Sequence, residues 1–331
     1  MDIPESATQP PTPSKLAGRL SVVAAAILWS SSGLFAKWPI FDVWPASTRG
    51  IQLAFWRAFF AALVLLPTVR RPRWRVGLVP LAIAFTLMNV TYLTAMSRTT
   101  AANAIWLQST CPWWVFLFSV LLFREPIVRR DLIPLAFGVV GVGTILWFEV
   151  QHAPATGGGT LAEPGTSLWL QVQGQSWFGV ACGLAAGISY AGVVVCMRRL
   201  RSENSSWLVA LNHGVAALIL APWVFQFGSR PTLLQFGVLA AFGALQMAVP
   251  YLLLIRGLRA ISSQEAVAIG MVEPILIPCW AFLIRGELPA PWTIAGAGLI
   301  LVGLVLRYVV WELGMRKWND RAGVSVSGDI P

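Results

Sequence analysis

Apolar runs of about 20 residues, the length a helix needs to cross the hydrocarbon core of a bilayer, follow one another along this chain. Each is closed by a short cluster of charges or turn-forming residues. The pattern predicts ten membrane-spanning helices, at 18–38, 47–68, 76–96, 101–122, 132–149, 176–197, 206–227, 233–255, 262–284 and 291–311. Pro112, Pro222, Pro250, Pro274 and Pro278 fall inside these runs, where each removes a helix hydrogen bond and offers a hinge. The fold class expected is an all-α integral membrane protein.

The two halves repeat each other. Pro112 precedes Glu125 by 13 residues, and Pro274 precedes Glu287 by the same 13. A constant offset of 162 also pairs Ala104 with Ala266 and Gly141 with Gly303. Five spans is an odd number, so the second half enters the membrane from the opposite face. The expected architecture is therefore two inverted five-helix repeats about an axis in the membrane plane, an arrangement typical of secondary transporters. The organisation reads as a disordered tail over 1–17, a first repeat over 18–149 and an external linker over 150–175. A second repeat over 176–311 and a cytoplasmic tail over 312–331 complete it.

Composition narrows the class further. Charged residues make up 11% of the chain and hydrophobic ones 56%, against roughly 25% charged in a soluble domain. The net charge of +10 does not signal nucleic acid, because the basic residues sit at span ends and not along one stripe with interleaved aromatics. Of the 24 Lys and Arg, 18 fall on one side of the map and 5 on the other, with Arg57 alone inside a span. By the positive-inside rule both termini are cytoplasmic, in the cytoplasmic (inner) membrane. Cys111, Cys182, Cys196 and Cys279 all lie in apolar runs and read as buried small side chains.

Several chemistries are excluded. No lysine stands in a Gly-x-x-x-x-Gly-Lys phosphate cradle, so the chain does not hydrolyse ATP. His152 and His213 are alone and far apart, which removes a metalloprotease site, and nothing asks for a metal ion or a cofactor. An enzyme is not expected. What remains is transport, and the polar residues inside the spans are its candidates, since a charge at mid-bilayer costs on the order of 3 kcal/mol unless it faces a cavity or a partner. Glu273 sits near the middle of the ninth span beside Pro274, placed either to bind a substrate amine or to carry a coupling proton, or else as a structural acid. Glu265, one turn inside that span, reads as interfacial; helical phase would put the two acids on one side. With Glu273, the residues expected to line a substrate cavity are Trp29, Asn89, Tyr92, Asn103, Trp106, Tyr190, Gln246 and Tyr251. For each one singly, helix packing or an interhelical hydrogen bond is the competing explanation. The span-end tryptophans belong to the interfacial belt.

Ala26-Ile27-Leu28-Trp29-Ser30-Ser31-Ser32-Gly33, Phe55-Trp56-Arg57 and Glu273-Pro274 leading to Gly286-Glu287 resemble an EamA domain, present here in two copies. The chain is similar over 18–311 to the ten-helix EamA branch of the drug/metabolite transporter superfamily. The resemblance implies a secondary transporter, often an exporter of amino acids or other small metabolites, with a central cavity between the halves. It departs from the usual pattern at Cys111-Pro112, where the second copy has Glu273-Pro274.

The expectation is a secondary-active exporter of a small organic metabolite, an amino acid or related compound, working by alternating access. Its partners are that solute, the lipid bilayer and, through Glu273, a coupling proton. The sequence leaves oligomeric state open, with Gly296, Gly298 and Gly303 able to pack within a protomer or between two. An uncoupled, channel-like or lipid-handling membrane protein is the alternative.

Overall fold

The computed structural model describes residues 14–69, 72–124, 129–152, 176–200 and 203–306. Glu125, most of the linker and the tails before Ser14 and after Leu306 lie outside them. Ten apolar helices follow in order: α1 (Lys15–Ala36), α2 (Ala46–Thr68), α3 (Leu78–Arg98), α4 (Ala101–Leu121), α5 (Leu132–Glu149), α6 (Trp177–Arg199), α7 (Ser205–Phe227), α8 (Leu233–Gly257), α9 (Ala268–Arg285) and the shorter α10 (Pro291–Val305). No strand occurs among the described residues.

Local chemistry sets the ends. Ser14 Oγ accepts the Ala17 amide and starts α1 at Lys15, inside the stretch expected to be tail. Thr100 caps α4, Asn204 caps α7, and Thr232 with Gln235 forms a reciprocal capping box at α8. α4 and α9 end alike: Arg124 (φ 54°) and Gly286 (φ 67°), 162 residues apart, both take the left-handed conformation that closes a helix.

Four spans are interrupted in mid-course. In α1 the hydroxyls of Ser30 and Ser31 bond back to the carbonyls of Ile27 and Leu28, and the helix restarts at Ser32. α4 breaks at Ser109–Thr110 ahead of Cys111-Pro112, and α9 at Met271–Val272 ahead of Glu273-Pro274. In both, proline cannot donate to the carbonyl a turn behind it. α8 widens into a π turn over Ala244–Ala248, just before Pro250. The break in α9 corrects one expectation, because Glu265 and Glu273 do not share one continuous helical face. Glu265 instead meets Arg19 at 2.5 Å near the surface.

The packing carries the repeat. α3 packs on α6 as α1 packs on α8; α4 packs on α6 as α9 packs on α1; α2 packs on α8 as α7 packs on α3. α2 with α7, α4 with α9 and α5 with α10 form the pairs an exchange of halves leaves unchanged. Helices of the two halves are thus interleaved, and their seam runs through the middle of the bundle. α5 and α10 are in backbone contact at Gly141 and Gly296, where a Cβ on either would stand 2.6 Å from the other's carbonyl oxygen. Gly303 packs on the Pro134 carbonyl of α5, whereas Gly298 faces open space.

Candidate substrate site

Arg57 lies on α2, is 1% exposed, and is the organising charge of the bundle's interior. Its Nε and Nη2 both donate to Asn89 Oδ1 on α3, the former at 3.2 Å, and its Nη1 donates to Gln246 Oε1 at 3.3 Å. Each amide is fixed from behind: Asn89 Nδ2 donates to the Ala54 carbonyl, and Gln246 Nε2 to the Trp29 carbonyl, both at 3.0 Å. The π turn of α8 is what carries Gln246 to this point. The guanidinium also lies against the rings of Tyr92 and Phe242, 5.8 and 5.4 Å from their centroids.

Around this centre the interruptions converge. Ser32, on the restarted end of α1, shares a hydrogen bond of 2.9 Å with the Tyr92 hydroxyl. Trp29 meets Tyr251 edge to face at 5.2 Å. Glu273 opens the second half of α9, so its carboxylate sits at the positive end of a half-helix. α9 meets the break of α1 here: the Ile277 carbonyl, one turn beyond Glu273, lies against Gly33 next to Ser32, and Trp280 Nε1 donates to Ser30 Oγ at 2.9 Å. Among the described residues no cation lies within 4 Å of Glu273 and no donor hydrogen-bonds to it. Arg57 likewise has only neutral acceptors. Two opposite charges therefore share one interior without forming an ion pair.

Six of the residues expected from sequence, Trp29, Asn89, Tyr92, Gln246, Tyr251 and Glu273, come together here from both halves. Three do not join them. Asn103 is occupied near the start of α4, donating to Thr99 Oγ1 and accepting from Thr293 Oγ1 at 2.8 Å. Trp106 packs in the same apolar core as Tyr92, but among the described residues it makes no hydrogen bond or ring contact to the residues around Arg57. Tyr190 on α6 is 42% exposed.

From sequence, Arg57 reads either as snorkelling or as needing an acid or carbonyl partner inside its span, and His213 as an isolated histidine; Arg57 finds the side-chain carbonyls of Asn89 and Gln246. His213 is completely buried on α7, between the Phe85 ring at 4.8 Å and the Tyr251 ring at 6.2 Å, and within reach of the Arg57 charge. Among the described residues, neither ring nitrogen has a hydrogen-bond partner. The available signal was position alone: both residues lie well inside apolar runs, where an ionisable side chain is costly.

Comparison with known proteins agrees with this architecture. The sequence pattern of the EamA-like transporter family matches residues 16–147 and again 177–309. An uncharacterised transporter from Archaeoglobus fulgidus is 24% identical over 294 residues, covering 88% of this chain and 96% of its own. The pseudopaline exporter CntI of Pseudomonas aeruginosa is 24% identical over 271 residues, covering 78% and 86%. One crystal structure superposes with a TM-score of 0.57 at 17% identity, spanning 90% of this chain and 98% of that one, a likeness of fold.

Proposed function

Because this chain belongs to the EamA-like transporter family and is a multi-pass membrane transporter, not an enzyme, we propose that it is a secondary-active exporter of a small organic metabolite, an amino acid or related compound. It works by alternating access between two inverted repeats in the cytoplasmic membrane, with both termini in the cytoplasm. The observation that carries this reading is the site at the seam: a buried cation on the unbroken α2 and a half-buried carboxylate at the break of α9, with no ion pair between them among the described residues and with the interrupted α1 and α8 beside them. Broken helices around a mid-membrane site fit a carrier whose halves rock about that site. The exporter named among the relatives supports outward movement, and the Lys and Arg asymmetry supports the orientation.

Glu273 is the coupling residue in this reading. A carboxylate with no fixed partner at the start of a half-helix can take up a proton or a substrate ammonium and release either when the site turns to the other face. The test is pH-driven uptake of a labelled amino-acid mixture into proteoliposomes containing the full chain or its Glu273→Gln variant. The wild type concentrates label under an imposed proton gradient and the variant does not. Equal pH-driven flux in the two removes Glu273 from coupling, and a continuous ionic current through either favours a channel.

A further inference from the structure

We propose that Arg57 and His213 together form an anion subsite that takes the carboxylate of the transported solute, so that the solute is an amino-carboxylate with its ammonium toward Glu273. This rests on the transporter reading above and names the chemistry of its substrate. Three features of the site point to it.

The first is charge. Arg57 remains protonated in any protein interior, it is out of water, and among the described residues no carboxylate stands within 4 Å of it. A buried cation held only by neutral amides calls for an anion. The second is capacity. A guanidinium has five N–H groups, and Arg57 commits three to Asn89 and Gln246. The remaining two suit the oxygens of a carboxylate.

The third is His213. A neutral imidazole carries one donor and one acceptor, and here both are buried without a partner among the described residues. Packing against Phe85 and Tyr251 could be had from a phenyl ring without that cost. Phe85, on which His213 packs, and Asn89, which holds Arg57, stand one turn apart on one face of α3, so the imidazole lies beside the guanidinium and offers a second contact to a bound carboxylate. The two residues lie on α2 and α7, the pair that faces itself across the repeat axis. Glu273 lies on α9, so the two ends of a zwitterion would be held by different helices.

The experiment measures concentration-dependent uptake into proteoliposomes of a labelled mixture of the twenty protein amino acids and, separately, of the same amino acids as carboxamides. Wild type, His213→Phe and His213→Gln are compared. His213→Phe is expected to raise the KM for the acids about tenfold, the worth of one hydrogen bond to a charged group, with uptake of the amides unchanged. His213→Gln, which keeps a donor, is expected to stay within about threefold of wild type. A structural role for His213, or Glu273 itself serving as the anion for Arg57, would shift acids and amides alike and overturn the subsite. Wild-type carriage of amides as readily as acids would overturn it as well. Wild-type carriage of neither would instead overturn the amino-acid reading on which the subsite stands.

Discussion

Lys37 Nζ lies 2.7 Å from Glu287 Oε2, at the end of the bundle where the two halves meet, with the side chains 6% and 12% exposed. The ammonium also donates to the Thr99 carbonyl at 2.7 Å, and Glu287 Oε1 accepts the Ala101 amide at the start of α4. One ion pair therefore fastens the end of α1, the entry to α4 and the exit of α9. The glutamate that marks the sequence repeat is, in the second half, the acid of this clasp.

Removing one partner leaves a charge nearly out of water. Lys37→Met and Glu287→Gln are each expected to cost about 3–5 kcal/mol, read as a drop in the apparent melting temperature of the purified protein. The exchanged pair Lys37→Glu/Glu287→Lys should not recover the loss, because the Thr99 carbonyl calls for a donor and the Ala101 amide for an acceptor. Full recovery would mean that the backbone contacts are incidental.

Asn89 offers a direct test of the unpaired guanidinium. Asn89→Asp places a carboxylate where the amide oxygen accepts from Nε and Nη2 of Arg57. The variant should fold and melt at least as high as wild type, yet amino-acid uptake should fall by about tenfold or more, as expected when a site's own charge displaces a ligand hydrogen bond. Undiminished uptake would show that the charge of Arg57 is not used on the solute.

The helix ends at Arg124 and Gly286 share a backbone conformation but not a side chain, and their amides close on the Ser119 and Phe282 carbonyls respectively. Both are left-handed, but an L-residue with a Cβ carries a penalty of roughly 1–2 kcal/mol there. Arg124→Gly should stabilise by about 1 kcal/mol and Gly286→Ala should destabilise by a similar amount. Thermal unfolding of the two variants checks both signs at once.

Close packing of α5 on α10 gives an internal contrast. Gly296→Ala drives a Cβ into the Gly141 carbonyl and should cost about 1–3 kcal/mol. Gly298→Ala meets nothing within 4 Å and should be neutral or stabilising by up to about 1 kcal/mol. Equal effects at the two positions would contradict the helix pairing.

Much of the fold could be read from the chain because the bilayer imposes one length on every apolar run; the first eight spans agree with the runs to within a few residues, the ninth begins at Ala268 against an expected 262, and the expected end of the tenth lies outside the described residues. The breaks ahead of Pro112 and Pro274 and the π turn ahead of Pro250 were legible for a similar reason, since proline withholds a helix hydrogen bond, but Pro222 and Pro278, read the same way, lie inside unbroken helices. The break in α1 was not, because it is made by serine hydroxyls turning back on their own helix. Facing was the harder question. Tyr92 and Tyr190 are the same residue type in similar apolar surroundings, yet one is buried over Arg57 and the other is 42% exposed. Lipid and protein interior are equally apolar, so periodicity distinguishes them poorly. Asn103 shows the other limit: its amide is taken up by Thr293, a residue 190 positions away. His213 carries no motif in the chain: a lone histidine far from His152 matches no metal-binding pattern.

The measurement that bears most directly on the central claim is the accessibility of the buried site from each face. Ser32, bonded to Tyr92, is changed to cysteine after the four free cysteines are replaced, and a membrane-impermeant maleimide is applied to one side of the reconstituted membrane at a time. Alternating access predicts labelling from either side, with a crosslink closing one mouth abolishing labelling from that side and uptake, but not labelling from the other. Labelling from neither side, or uptake that survives closure of one mouth, would contradict the account.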